Sequence, residues 1–375
     1  MEEAAERARA ELEATFAASG IATERLRPHF GLAFAPGTID LSQPLPAAVD
    51  DALTASFYAF GILVFRELWP EPEQELDFAR RFSHDPAQRQ DVDRNYGQQL
   101  VPGQPKLPAH PSIALVGGAE VSAPGHYGFV GTVDANDQPP GGMRRSWHCD
   151  GVVEEYPPPE CTAMRAVRSP ADGGDTLFVH SAHAARLAME AAADEGWDGP
   201  ALERAVCHYR PSVVTALWHE LEVTDSGISL CPMGDATLKA FAADQTAASA
   251  LQAMVRGDGY RPKGRQSREY AFPLLTLARL AEGVSAPTMI HQCRALHAVS
   301  DGVTGEALSF ADSQRYVERV WAPGLAAAEN TYSHPWADGD FVVWNNRIIM
   351  HSATSKGLWR RGEGDERLLH RIRMR

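Results

Sequence analysis

Trp344-Asn345-Asn346-Arg347-Ile348-Ile349-Met350-His351 sets a polar triplet between two apolar runs and ends on a histidine. Residues 341–344 and 347–350 are rich in β-branched and aromatic side chains, the composition of short buried strands. His351 is therefore a histidine delivered by the end of a hydrophobic strand: a ligand candidate, or a polar residue at a strand end beside Ser352 and Thr354. Strand character returns at residues 368–374. There Arg367, Leu369, Arg371 and Arg373 share one face and Leu368, His370, Ile372 and Met374 the other, because successive side chains of a strand point to opposite sides. The arginine face needs anions or water. Arg367 and Arg371 stand about 13 Å apart at roughly 3.3 Å per residue, enough to serve two anionic groups along one cavity; the plain alternative is a solvated basic tail.

Working back along the chain, Trp147-His148-Cys149-Asp150 follows a Gly/Pro-rich turn region and is read as the start of a strand. His148 and Asp150, two apart, then project to one face, where an imidazole and a carboxylate can share a metal, and Cys149 points away into packing. Alone the triplet is weak, since about one such match is expected by chance in a chain of this composition. Paired with His351 it completes two imidazoles and one carboxylate, the facial set of non-haem iron(II) that leaves three positions open. Asp172-Gly173-Gly174-Asp175 reads as a turn into a strand that begins at Thr176, a second donor for a carboxylate. Arg144 and Arg145 precede His148 closely enough to add positive potential at the mouth of such a site; the plainer alternative is a pair of exposed loop arginines.

The rest of the chain supplies the frame. Residues 1–18 form an amphipathic helix, with Ala5, Ala8, Leu12 and Phe16 on one stripe, suited to packing or to dimer contact in a homo-oligomer. A helix over 51–60, a strand over 61–65 and a helix over 73–82 follow. Residues 84–103 read as loop, 113–116, 162–167 and 176–179 as strands, and 183–192 as helix. Residues 195–285 read as a helical insertion or lid, including a helix over 236–255 and a basic loop with Arg256, Arg261, Lys263, Arg265 and Arg268. No repeat or linker divides the 375 residues, so a single domain is expected over 1–375. His180 and His183 have helix-face spacing without an evident third ligand and are read as structural.

Taken together in chain order, these pieces resemble the taurine dioxygenase and TfdA-like family of iron(II)/2-oxoglutarate-dependent dioxygenases. The likeness rests on Gly61-Ile62-Leu63-Val64-Phe65-Arg66 with Phe78-Ala79-Arg80-Arg81-Phe82, on Trp147-His148-Cys149-Asp150, on Gly173-Gly174-Asp175-Thr176, on Trp344-Asn345-Asn346-Arg347 with His351, and on Arg367 to Arg371. The resemblance implies a mostly β fold with flanking helices, a double-stranded β-helix or jelly roll, carrying the helical insertion. It implies His148, Asp150 and His351 as iron ligands and catalytic residues, Arg367 with Thr176 as the 2-oxoglutarate carboxylate site, and Arg371 for an acidic group of the prime substrate. His110 joins Arg144 on the substrate side by a looser likeness. The cofactors implied are Fe(II), 2-oxoglutarate and O2, and the reaction is oxidative decarboxylation of 2-oxoglutarate to succinate coupled to attack on a C–H bond. Asp150 is the carboxylate that related halogenases lack, which favours hydroxylation, with desaturation or cleavage as continuations. The chain departs from the pattern at Cys149, where Thr is usual, at Asn345, where Asp is usual, in a long 351–367 loop and in the unmatched middle.

Composition narrows the partners. With 49 acidic against 35 basic side chains and a formal charge of -14, wrapping nucleic acid or lying on anionic lipid works against the field of the whole molecule. No stretch approaches the roughly 18 apolar residues of a membrane span, and the acidic opening Met1-Glu2-Glu3 is unlike a secretory leader. Five dispersed cysteines without a C-x-x-C pair fit a reducing, cytoplasmic setting. A small, anionic organic substrate is the expectation. Two other readings use the same residues: a zinc-type metallohydrolase on the same His/Asp/His set, which gives Arg367 and Thr176 no task, and a non-catalytic binding protein docking through the basic loop.

Overall fold

The apolar run after Gly61 becomes the spine of a large sheet in the computed structural model, which describes residues 2–82, 105–133, 147–151, 158–171, 173–194, 199–209, 219–224, 227–232, 270–291, 296–300, 304–308, 310–353 and 366–374. Within them the chain starts with α1 (Glu2–Ala18), β1 (Thr23–Arg25), β2 (Leu32–Phe34), α2 (Ala47–Phe60), β3 (Ile62–Phe65) and α3 (Pro72–Arg80). It continues through β4 (Ala114–His126), β5 (Phe129–Val133), β6 (Cys161–Arg168), β7 (Thr176–His180), α4 (Ser181–Asp194) and α5 (Gly199–Arg204). Then come β8 (Val206–Tyr209), β9 (His219–Thr224), β10 (Gly227–Pro232), β11 (Tyr270–Pro273), β12 (Leu275–Ala281), β13 (Val284–Met289) and β14 (Leu296–Ser300). The last elements are α6 (Phe310–Ala326), β15 (Thr331–His334), β16 (Phe341–Asn345), β17 (Ile349–Ala353) and β18 (Arg367–Met374).

The major sheet has the order β1-β2-β3-β16-β6-β18-β4-β5, and a smaller sheet the order β15-β7-β17. The pairing brings distant chain together: β16 lies between β3 and β6, and β18 between β6 and β4. Side-chain alternation sorts each strand between two cores. Ile62 and Val64 of β3, Val342 and Trp344 of β16, and Leu369 of β18 face Phe178 of β7, Tyr332 of β15 and Ile349 of β17 across the interior between the sheets. Their neighbours Leu63, Phe65, Phe341, Val343, Leu368, Ile372 and Met374 turn outward and pack under α2 and α3. On the far side Leu177, Val179 and Met350 leave the smaller sheet to join α4 and α6. The result is the jelly roll expected, with helices outside both sheets. Each fully buried apolar side chain of this kind stabilises the fold by roughly 1.5–3 kcal/mol relative to exposure.

Local chemistry fixes the junctions. Gly61 ends α2 at φ 72, and a Cβ there would sit 2.9 Å from Ile349 Cδ1, so only glycine fits the step from helix to strand. α1 packs on α2 and buries Phe16, whose ring meets Phe34 edge-on at 5.1 Å. Its buried stripe also carries Arg9, whose guanidinium binds Glu6 and donates to the Ala59 carbonyl near the end of α2. Behind β18, the wholly buried Glu75 of α3 lies 2.7 Å from His370 Nδ1, and His370 Nε2 lies 2.7 Å from His126 Nε2 of β4.

Two expectations change. The strand expected over 113–116 runs from Ala114 to His126. The middle of the chain, expected to be helical, is mainly strand among its described residues: α5 is followed by β8, the β9–β10 hairpin, β11 and β12. β8 pairs with β11 and β14, and β12 with β13. The expected helix over 236–255, the basic loop over 256–268 and the loop over 84–103 lie outside the described residues.

Candidate metal centre

His148 and His351 meet through the backbone before their side chains do. His148 N–H donates to the His351 carbonyl at 2.9 Å, and His351 N–H returns the bond at 3.0 Å. Residues exchanged in this way stand directly opposite each other with side chains on one face, and the two rings lie 4.3 Å apart between centroids. The expected strand at residues 147–150 is thus reduced to one bridging pair. The extended path persists, because Cys149 N–H is taken by the His291 carbonyl at 2.8 Å. Cys149 turns into the outer core as expected, where burial pushes its thiol up to about 12.

Asp150 closes the set. Its Oδ1 lies 3.9 Å from His148 Nε2 and its Oδ2 4.0 Å from His351 Nε2. These distances exceed a hydrogen bond, and the three donor atoms lie within 4.8 Å of one another. Two imidazoles and one carboxylate on one face form a donor set suited to a divalent transition metal, and no lysine or arginine belongs to it. Asp150 and His351 are buried, whereas the His148 side chain is 25% exposed, so the cluster opens on that side. Burial alone would raise the Asp150 carboxyl, but the charges of His351, Arg373, Arg371 and His148 outweigh it and hold the group well below the usual carboxylate range.

The supporting contacts are residues to which sequence reasoning gave no role. Asn346 accepts from Asp150 N–H at 2.7 Å and donates to the Asp150 carbonyl at 2.7 Å and the Pro159 carbonyl at 3.0 Å, clamping the ligand's backbone from both sides. Thr162 Oγ1 donates to Asp150 Oδ2 at 3.1 Å. Trp344 and Phe178 hold the His351 ring at centroid distances of 4.9 and 6.3 Å. The signal for Asn346 lay in the polar triplet between the two apolar runs, where a short amide can reach neighbouring backbone.

The arginine face of β18 points into the same interior. Arg367, Arg371 and Arg373 are all buried, on the side of Leu369, opposite the outward-packed Leu368 and Ile372. Arg373 stands opposite Thr162 in the register, beside the hydroxyl that binds Asp150. Arg367 pairs with Gly118 of β4, and a Cβ on the adjacent Gly117 (φ 141) would lie 2.0 Å from the Arg367 carbonyl. Glycine is therefore required for β4 to approach β18 here. Trp336 ties the next group in: its Nε1–H donates to Thr176 Oγ1 at 2.9 Å, and the Arg367 guanidinium lies 5.9 Å from its ring centroid. The structure thus brings together His148, Asp150 and His351, and separately Arg367 and Thr176. It gives His110 a different neighbour, Glu73 of α3 at 3.3 Å. Arg144, Arg145 and Asp172 lie outside the described residues.

The sequence profile of the family described as "Taurine catabolism dioxygenase TauD, TfdA family" matches residues 22–373. Among characterised proteins, the (S)-phenoxypropionate/alpha-ketoglutarate-dioxygenase of Delftia acidovorans is 24% identical over 317 residues, 82% of either chain. The alpha-ketoglutarate-dependent xanthine dioxygenase xan1 of Schizosaccharomyces pombe is 24% identical over 212 residues, 56% of this chain; the match spans only about half of that protein, 48%. Among solved structures, a taurine dioxygenase from Burkholderia xenovorans superposes with a TM-score of 0.55 at 17% identity, covering 95% of this chain and 91% of the other. AAD-2 in complex with Mn(II) and N-oxalylglycine superposes with a TM-score of 0.57 at 17% identity, covering 95% and 98%. These likenesses show a shared fold. Among the described residues no helix is long and apolar enough to cross a membrane.

Proposed function

The chain belongs to the TauD, TfdA family of iron(II)/2-oxoglutarate-dependent dioxygenases, and from that premise we propose that it hydroxylates a C–H bond of a small organic acid. The observation that carries this reading is the convergence of the His148, Asp150 and His351 donors beside the buried arginine face of β18. His148, Asp150 and His351 are the iron ligands in this proposal. Asn346 and Thr162 fix the one carboxylate among them, since partners behind a metal ligand set its orientation.

Iron(II), when bound, supplies the oxidising chemistry: one atom of dioxygen leaves in succinate as 2-oxoglutarate loses carbon dioxide, and the other becomes the hydroxyl of the product. The protein's own part is placement and charge. Arg367 takes the distal carboxylate of 2-oxoglutarate, with the Thr176 hydroxyl assisting and Trp336 holding the two in register. Arg371, four residues along the same face, pairs with the acid of the substrate, and Arg373 reinforces the positive field beside Asp150. A guanidinium in a dry interior binds a carboxylate or sulfonate through charge-assisted bonds and so keeps one carbon near the metal. The name of the Delftia relative, an enzyme of an aryloxy acid, agrees with that preference. Where the hydroxylated carbon also bears an ether oxygen or a sulfonate, the product collapses to a carbonyl compound with release of the alcohol or phenol, or of sulfite, so cleavage is a continuation of the same reaction.

The test is succinate and product formation with iron(II), 2-oxoglutarate and oxygen across aryloxyalkanoates, sulfonates, alkyl sulfates, N-substituted amino acids and purines. An acid-bearing compound that stimulates succinate release and gains one oxygen supports the proposal. Stimulation by an uncharged purine alone would refute the acid-binding role of Arg371.

A further inference from the structure

A second histidine cluster lies away from the metal centre, where α1, the start of α4 and the β12–β13 hairpin enclose a cavity of about 140 Å³. Ala5, Met189, Leu280 and Pro287 form apolar walls, and Arg9, His29, His180, His183 and Arg186 gather at one end with Glu2 at the rim. Glu2, His29 and His183 have ligand atoms within 4.8 Å of one another, which by spacing alone would suit a metal. The hydrogen bonds argue otherwise. Arg186 Nη2 lies 3.3 Å from both ring nitrogens of His183. A guanidinium only donates, so the lone pair of a neutral His183 is already engaged and its other nitrogen carries a proton. The His183 backbone N–H donates to His180 Nδ1 at 3.2 Å, which places the proton of a neutral His180 on Nε2. Among the described residues that buried N–H has no acceptor, although His180 is only 5% exposed. His29 and His183 also stack face to face, centroids 4.2 Å apart and planes 20° apart, so their in-plane lone pairs run alongside each other and do not converge on one ion.

His180 and His183 are neutral near pH 7. Burial, reinforced by Arg9, His183 and His29, lowers His180 to about 3. Burial, with His29 and Arg186, lowers His183 to about 4. Glu6 and Glu190 hold Arg9 and Arg186 from outside the cavity. The polar end therefore offers N–H donors, and an N–H buried without an acceptor is costly. The geometry points to a second small-molecule site that takes a monocarboxylate with a short apolar body, its oxygens against His180 Nε2–H and His183 and its hydrocarbon against Ala5, Met189, Leu280 and Pro287.

Calorimetric titration of hexanoate into the full chain loaded with iron(II) and 2-oxoglutarate under nitrogen tests this with the cosubstrate's anion site filled. A saturable event that persists in Arg371→Ala is expected, weakened about tenfold by His180→Phe and by Arg186→Gln. Arg186 sits on the partly exposed side of α4, so its replacement keeps the test valid if the buried His180 variant fails to fold. Loss of the event in Arg371→Ala with retention in the other two would assign it to the substrate pocket and overturn the proposal. Equal binding of hexanamide, no saturable binding at all, or zinc(II) binding abolished by His29→Ala would overturn it as well.

Discussion

Among the described residues two clusters each hold a carboxylate and two imidazoles with ligand atoms within 4.8 Å of one another, yet their chemistry differs. At His148, Asp150 and His351 the two Nε2 atoms look toward a buried carboxylate, and the two histidine backbones pair with each other. At Glu2, His29 and His183 the carboxylate is at the surface, a guanidinium lies against the ring nitrogens of His183, and the two rings lie flat on one another. The lesson is that proximity of ligand types does not make a metal site. What decides is where the lone pairs point and which neighbours have already used them.

The largest effect expected from breaking this contrast is at the first cluster. His148→Ala and Asp150→Ala should each bring iron-dependent succinate formation below detection, while His29→Ala leaves it unchanged; a His29 variant that lost turnover would erase the distinction. Next, Arg367→Ala should raise the KM for 2-oxoglutarate by about a hundredfold with a smaller change in kcat, as expected for loss of one charge-assisted pair. Asn346→Ala leaves all three donors in place but frees the backbone of Asp150. It should weaken iron(II) binding by about tenfold to a hundredfold in chelator competition and lower stability by roughly 1–3 kcal/mol in denaturant titration. A further measurement separates the second cluster by pH. Folded His180 titrates at about 3 against an ordinary 6.5, so protons favour the unfolded chain: this contribution is whole above pH 6.5 and is lost as pH falls toward 3. Urea midpoints between pH 7 and 4 should fall more steeply for the wild type than for His180→Phe, and parallel slopes would show that His180 is not held as a buried neutral imidazole.

Much of the metal centre and its frame was legible from residues alone. The alternation of Arg367 to Met374, the apolar runs around Trp344 and the i, i+2 spacing of His148 and Asp150 each state which side of a strand a group takes, and the fold keeps those sides. The iron(II)/2-oxoglutarate family, expected by resemblance, is the one whose profile covers residues 22–373. Other features were hidden for physical reasons. Gly117, Gly118 and Pro124 look like breakers, yet they lie inside β4, because Gly117 marks close approach to the β18 backbone and is not a turn. The β12–β13 hairpin mixes alanine, arginine and glycine with an exposed Leu277, so it lacks the apolar signature of a buried strand. The donor bonds that set the two histidine clusters apart depend on residues such as Arg186 and Asn346, whose partners are chosen by tertiary packing.

The reciprocal main-chain pair between His148 and His351 holds the two chain segments in line without help from either ring. An alanine at position 148 would then leave an imidazole-shaped vacancy with its walls intact and a path to solvent, since that side chain is a quarter exposed. Free imidazole added from outside should lodge there and restore part of the lost activity, whereas the enclosed position 351, only 7% exposed, should resist such chemical complementation.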